Sequence, residues 1–212
     1  MPRIGPRQTQ AERTAGTRAA LLDATIEAVA ELGFAGASTT EIARRAGVSR
    51  GAQLHHFPAK LDLVTAALDH VFAEREAEFR RRFEARPVEG RTQAGAVAVL
   101  WEISQGREQL AVLELLTAAR TDPELRPLAR RVLEQFESAV AATFAEVLPG
   151  VAEDPFISSR VLLALTVLQG AVLHQQLGLD AQAEELVSTL GLLAEAFPFV
   201  DLTSPSTEAG SR

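Results

Sequence analysis

The sequence predicts an all-α protein of about nine helices, in which a small N-terminal helix-turn-helix module precedes a larger helical body. Alanine, leucine, glutamate and arginine are frequent, and tyrosine is absent. Apolar residues recur at intervals of three and four, which is the spacing of one helix face, and the alternation typical of half-buried strands is absent. Glycines, prolines and N-capping residues divide these helical segments.

The composition is that of a globular protein and excludes several kinds of chemistry. Hydrophobic residues make up 47% of the 212 residues and charged residues 23%, so the chain can bury a core. Cysteine is absent, which excludes disulfides, thiolate metal sites and cysteine nucleophiles. We expect a soluble, cytoplasmic protein, because no signal peptide is recognisable and the apolar run 161–173 is shorter than the roughly 20 residues of a membrane span.

The first helix is expected to begin at a Thr17 cap and to end at Leu32, because Gly33 permits the left-handed backbone that closes helices. Ser38 and Glu41 then have the spacing of a capping box, which predicts the start of a second helix.

A tight turn at Gly47 and a Ser49 cap predict a third short helix directly after the second. Two short helices joined in this way form a helix-turn-helix, whose second helix can enter the major groove of DNA. The charge distribution agrees with this interpretation. Residues 1–60 carry a net charge of +3, and the remainder of the chain carries −10.

A fourth helix of about 25 residues is predicted from Lys60, long enough to span roughly 38 Å and to join the module to the body. Further helices are predicted at about 94–105, 108–120, 123–148, 155–177 and 181–197. We therefore divide the chain into a flexible arm (1–16), a DNA-binding domain (17–60), a ligand-binding and dimerisation domain (61–200) and a disordered tail (201–212).

The run TTEIARRAGVSRGAQLHHFPAKLDLV, residues 39–64, resembles the N-terminal DNA-binding domain of the tetracycline-repressor (TetR) family. The resemblance covers about residues 17–64. It implies a three-helix DNA-binding domain followed by a variable helical domain that dimerises and binds a small ligand. The residues at family spacing are Gly33, Phe34, Thr39, Ile42, Ala43, Ala46, Gly47, Val48, Ser49, Gly51, His56, Phe57, Lys60 and Leu63.

The chain departs from the family pattern at Gln53 and Leu54, where members usually carry an apolar residue followed by tyrosine. That tyrosine commonly contacts the DNA backbone or a base edge, and Leu54 cannot donate the corresponding hydrogen bond. Leu54 could meet a thymine methyl group instead, and Gln53 could bind adenine only if it faces the groove.

The DNA contacts are expected at the start of each helix of the motif. Arg50 has the geometry to bind guanine in a bidentate manner, and Gly51 allows the backbone to approach DNA closely. The family resemblance implies that His56 and Lys60 bind phosphates. The complete set of predicted contacts is Thr39, Thr40, Arg50, Gly51, Ala52, Gln53, Leu54, His55, His56 and Lys60.

The last two predicted helices are apolar on more than one side, which predicts a homodimer with a four-helix interface and hence a palindromic operator as partner. We also expect a small-molecule effector, of apolar character because few charged residues lie at the candidate positions. The candidate lining residues are Phe72, Trp101, Leu113, Leu116, Phe136, Phe144, Leu165, Gln169 and His174.

No catalytic residue, metal site or cofactor is predicted. The sequence lacks the G-x-S-x-G, Walker and H-E-x-x-H motifs, and the adjacent His55 and His56 point apart on a helix. Three interpretations remain open. The chain is a ligand-responsive repressor, a DNA-binding regulator without a small-molecule effector, or a helical scaffold or ligand-binding protein that has lost DNA binding.

Overall fold

The computed structural model describes residues 9–148 and 154–196, and all regular structure within these ranges is helical. The predicted all-α fold is therefore confirmed. The elements are α1 (Gln10–Gly36), α2 (Thr39–Arg45), α3 (Arg50–His56), α4 (Lys60–Glu84), a 3₁₀ turn (Val88–Gly90), α5 (Gln93–Ile103), α6 (Arg107–Ala119), α7 (Leu125–Val147), α8 (Ile157–Gln176) and α9 (Asp180–Ala196).

Helix α1 begins eight residues earlier than predicted, with Thr9 rather than Thr17 as its N-cap. The reason is a capping box, in which the Thr9 amide donates to Glu12 Oε2 (2.7 Å) and the Glu12 amide donates to Thr9 Oγ1 (3.2 Å). The expected flexible arm 1–16 is thus wrong for residues 10–16, and residues 1–8 lie outside the described ranges. Gly33, with a φ of 69°, interrupts the helix at the predicted place.

The chain divides into two compact units, the first comprising residues 1–73 and 106–132 and the second residues 74–105 and 133–212. The boundaries fall within α4 and α7, so each of these helices contributes to both units. This division differs from the predicted domain boundary at residue 60, because α6 packs along α1 and joins the helix-turn-helix unit. The predicted tail 201–212 lies outside the described residues.

The first unit has a core of aliphatic side chains from α1, α2, α4 and α6. Leu21, Val29, Ile42, Leu63 and Leu115 are almost completely buried there. An ion pair between Arg107 Nη1 and Glu27 Oε1 (2.7 Å) joins α6 to α1 at the surface. Burial of this aliphatic surface is the main interaction that holds the helix-turn-helix to the rest of its unit.

The second unit is built around three stacked phenylalanines. The Phe79 ring lies 5.6 Å from that of Phe83 and 5.1 Å from that of Phe144, in nearly parallel planes. Helices α5, α8 and α9 pack against one another in the same unit. Helix α8 has the length and mean hydropathy (1.4) of a membrane-spanning segment. Core helices of globular proteins can share these properties, and α8 packs on α9.

Candidate nucleic-acid interface

The two short helices of the motif are each fixed by a serine cap. Ser38 Oγ accepts the Glu41 amide (3.2 Å) at the start of α2, and Ser49 Oγ accepts the Ala52 amide (3.1 Å) at the start of α3. Between them Gly47 has a φ of 66°, a conformation that other residues rarely adopt. The predicted helix–turn–helix is therefore present, with both caps and the turn at the predicted residues.

Gln53 determines which face of α3 is turned inward. Its side chain is 0% exposed, and its Nε2 donates to the Phe57 carbonyl oxygen (2.7 Å), which follows the last residue of the helix. This position does not support the predicted contact of Gln53 with DNA. Gln53 lies on the buried face of α3, and its amide donates to the carbonyl of Phe57, the C-cap residue of the helix, instead of to a base.

The face of α3 opposite Gln53 is open to solvent. Gly51 and His55 lie two residues before and after Gln53, which places them roughly 160° away around the helix. Both are exposed, as are Arg50 and Leu54. Of the other predicted contacts, Thr40 is exposed, whereas Thr39, Ala52 and His56 are half-buried.

Arg50 and Lys60 differ in what surrounds their charges. Within residues 9–148 and 154–196, the Arg50 side chain forms no ion pair or hydrogen bond. The Lys60 ammonium, in contrast, donates to the Phe34 carbonyl oxygen and lies 4.0 Å from the centroid of the Phe34 ring. Burial lowers the pKa of Lys60. The predicted phosphate contact of Lys60 is not supported, because its ammonium group is occupied by the carbonyl and the ring of Phe34 at the end of α1.

Two further arginines of the motif are paired within the protein. Glu41 accepts hydrogen bonds from Arg44 Nε and Arg45 Nε, both at 2.8 Å, and these bonds lower its pKa to about 2. Arg45 also donates to Glu31 Oε2 (2.7 Å) and so links α2 to α1. Arg44 and Arg45 follow Glu41 by three and four residues, the spacing at which side chains meet on a helix, so the pairing with Glu41 is a signal present in the sequence.

One further cation lies near the motif. The Arg18 guanidinium lies 5.0 Å from the centroid of the Phe57 ring, close to the end of α3. Arg18 itself is exposed. No local motif marks this residue, since the contact joins segments far apart in the sequence.

A cavity of about 370 Å³ lies within the second unit, between α5, α7, α8 and α9. Its walls are apolar apart from Gln93 and Arg160, and Arg160 Nε pairs with the buried Asp154 carboxylate at 2.9 Å. The lining residues are Gln93, Val97, Phe144, Ile157, Arg160, Val161, Leu163, Ala164, Leu190, Leu193 and Ala194. Such a site suits a small, mainly apolar molecule.

The predicted ligand-lining residues are mostly placed elsewhere. Phe144 lines the cavity, and His174 lines a neighbouring groove between α8 and α9. The others line neither site. Helical periodicity in the sequence identifies a buried apolar face, but it does not distinguish the wall of a cavity from a filled core. Trp101, Phe136 and Leu165 pack against the core of the second unit, Gln169 is half-buried on α8, and Phe72, Leu113 and Leu116 belong to the first unit.

Comparison with known proteins identifies the motif and the fold. Residues 21–67 match the family model described as bacterial regulatory proteins, tetR family. Over 168 residues the chain is 34% identical to an uncharacterized HTH-type transcriptional regulator of Mycobacterium tuberculosis, covering 78% of this chain and 86% of that protein.

Two crystal structures share the fold. A Rhodococcus sp. protein described as a TetR-family transcriptional regulator aligns with a TM-score of 0.70 and 19% identity, over 86% of this chain and 98% of that one. The transcriptional regulator FadR from Bacillus subtilis, in complex with stearoyl-CoA, aligns with a TM-score of 0.63 and 16% identity, over 85% of this chain and 99% of its own.

The Glu41 cluster predicts a particular dependence of stability on pH. The pKa of Glu41 is lowered from 4.5 to about 2, so its stabilising effect is complete above pH 4.5 and is lost as the pH falls through about 2. We expect the melting temperature of the wild type to exceed that of Glu41→Gln by a constant amount above pH 4.5, with the difference vanishing toward pH 2. Thermal denaturation followed by circular dichroism measures this difference.

The control is the same substitution in an Arg44→Ala, Arg45→Ala background, where the partners of the carboxylate are absent. There the effect of Glu41→Gln should no longer follow this pH profile. A difference that persists unchanged in that background would contradict the assignment.

Proposed function

Because the chain belongs to the TetR family of bacterial transcriptional regulators, we propose that it is a ligand-responsive repressor that binds a palindromic operator as a homodimer. A small, mainly apolar effector releases it from DNA, and it acts in the cytoplasm. The observation that carries the proposal is the exposed face of α3, where Arg50 has no protein partner among the described residues.

The exposed residues divide between two kinds of DNA contact. Arg50, at the start of α3, binds a guanine through its two guanidinium nitrogens in the major groove. Thr40, at the start of α2, and His55 lie on solvent-exposed surface from which they bind phosphates or base edges. Arg44 and Arg45 contribute less, because Glu41 holds both side chains.

Substitution of Arg50 tests DNA recognition directly. Arg50→Ala should weaken binding to the selected operator by about fivefold or more in each half-site, since a bidentate arginine–guanine contact is worth about 1–3 kcal/mol. Arg44→Ala is the matched control and should alter affinity much less, because Glu41 already occupies that guanidinium. Fluorescence anisotropy with duplexes selected from genomic DNA measures both. Equal losses in the two variants would contradict the assignment of Arg50 as the base-contacting cation.

The homodimer is proposed to form through α8 and α9, which pack on each other and, together with the link between them, carry several exposed leucines. A twin pair of helices from a second copy covers this apolar surface in a four-helix interface. Two-fold symmetry then places two copies of α3 on half-sites about one DNA turn apart, or farther if the dimer is wide. The exposed leucines are Leu162, Leu163, Leu173, Leu177, Leu179, Leu186, Leu192 and Leu193.

A charge within this surface should separate the subunits. Leu192 is 72% exposed, and Leu192→Glu should convert the dimer to a monomer because the glutamate would be desolvated at the interface. Val88→Glu is the control, since Val88 is 74% exposed on the 3₁₀ turn outside α8 and α9. Analytical ultracentrifugation measures the mass. A Leu192→Glu variant that remains dimeric at micromolar concentration would exclude this interface.

The effector is proposed to bind in the cavity of about 370 Å³ lined by α5, α7, α8 and α9. Its apolar walls favour a hydrophobic molecule, and FadR, which shares the fold, has been crystallised with stearoyl-CoA. Helix α4 follows α3 directly and contributes to both units, so we propose that effector binding shifts an equilibrium in which α4 tilts and changes the spacing of the two α3 helices.

Filling the cavity tests the effector proposal. In a thermal-shift screen with apolar compounds, a bound effector should raise the melting temperature of the wild type. Ala164→Phe places a ring in the cavity and should abolish that shift, whereas Ala142→Phe, on the exposed face of α7, should retain it. A screen without any stabilising compound would favour a regulator that lacks a small-molecule effector.

A further inference from the structure

Leu54 is an apolar side chain on the exposed face of α3, with 45% of its surface accessible. Its neighbours on that face are Arg50, Gly51 and His55, so it does not belong to a larger apolar patch of the kind found on α8 and α9. An isolated leucine between polar groups is a poor site for docking another protein. It can, however, form a local apolar contact within an otherwise polar interface.

The backbone around Leu54 leaves space for such a contact. Gly51 lies three residues earlier and therefore on the adjoining turn of the same face. A Cβ atom at Gly51 would meet no neighbour nearer than Ser49 Oγ at 3.9 Å, so the position is open. Helical side chains lean toward the N-terminus, which directs Leu54 toward Gly51 and toward the end of α3 that carries Arg50. Leu54 therefore lies next to a position without a side chain, where a flat group can approach it.

The chemistry of Leu54 points to a particular base. Leucine has no hydrogen-bond donor or acceptor, so it cannot recognise the polar edge of adenine, guanine or cytosine. The only apolar group that the four bases present in the major groove is the 5-methyl group of thymine. Gln53, the adjacent polar residue, is buried and bonded to Phe57, so it does not compete for this position.

We propose that Leu54 selects a thymine in each operator half-site by packing against its 5-methyl group above Gly51. The inference rests on the proposed DNA-binding function and adds one position to its specificity. Leu54 thereby acts beside Arg50, which recognises guanine by hydrogen bonds. Burial of one methyl group should change the affinity about fourfold in each half-site, the equivalent of about 0.8 kcal/mol.

Replacement of thymine by deoxyuridine tests this contact, because it removes the methyl group and leaves the hydrogen-bonding edge unchanged. The probe is the highest-affinity duplex that the wild-type protein selects from a random-sequence pool, with each thymine replaced in turn. We expect one symmetry-related pair of thymines at which the replacement weakens binding about fourfold in each half-site. The measured quantity is the ratio of the affinity for the thymine duplex to the affinity for the deoxyuridine duplex, obtained by fluorescence anisotropy.

Leu54→Ala should bring this ratio close to one at the same thymines. Leu32→Ala is the matched control, since Leu32 is 46% exposed on α1, and it should keep the wild-type ratio. If the selected duplex binds without any methyl-dependent position, or if Leu54→Ala keeps the ratio, the thymine contact is excluded while the DNA-binding function stands. If no duplex is selected at all, the proposed function fails and this inference fails with it.

Discussion

Burial of the Gln53 side chain is the constraint on which the recognition surface depends. The amide is fully enclosed and bonded to the Phe57 carbonyl, so α3 cannot rotate without exposing a buried polar group and losing that bond. Because Gln53 points into the core, the rotation of α3 about its axis places Gly51 and His55 on the solvent-exposed side. The orientation of the helix therefore follows from packing within its own unit, before any DNA is bound.

A second constraint is the allocation of positive charge. Glu41 holds Arg44 and Arg45, and the Lys60 ammonium lies on Phe34. The charges of these three residues are thus occupied within the protein, whereas the Arg50 side chain forms no ion pair or hydrogen bond within residues 9–148 and 154–196.

Local patterns in the sequence predicted much of the fold but less of the site. The capping serines and Gly47 are local signals, and the motif forms where they placed it. The burial of Gln53 and the contact of Lys60 with Phe34 depend on segments that meet only after folding. The cavity was predicted least well, because its walls and the filled core are made of the same apolar residue types.

In the proposed complex α3 presents Arg50 and Leu54 to DNA and keeps Gln53 inside. Intermolecular nuclear Overhauser effects, measured by NMR on the complex with a selected duplex, test it most directly. We expect such effects between Leu54 methyl protons and DNA, and a Gln53 side-chain amide that stays protected from solvent exchange. Contacts between the Gln53 amide and a base, with none from Leu54, would contradict it.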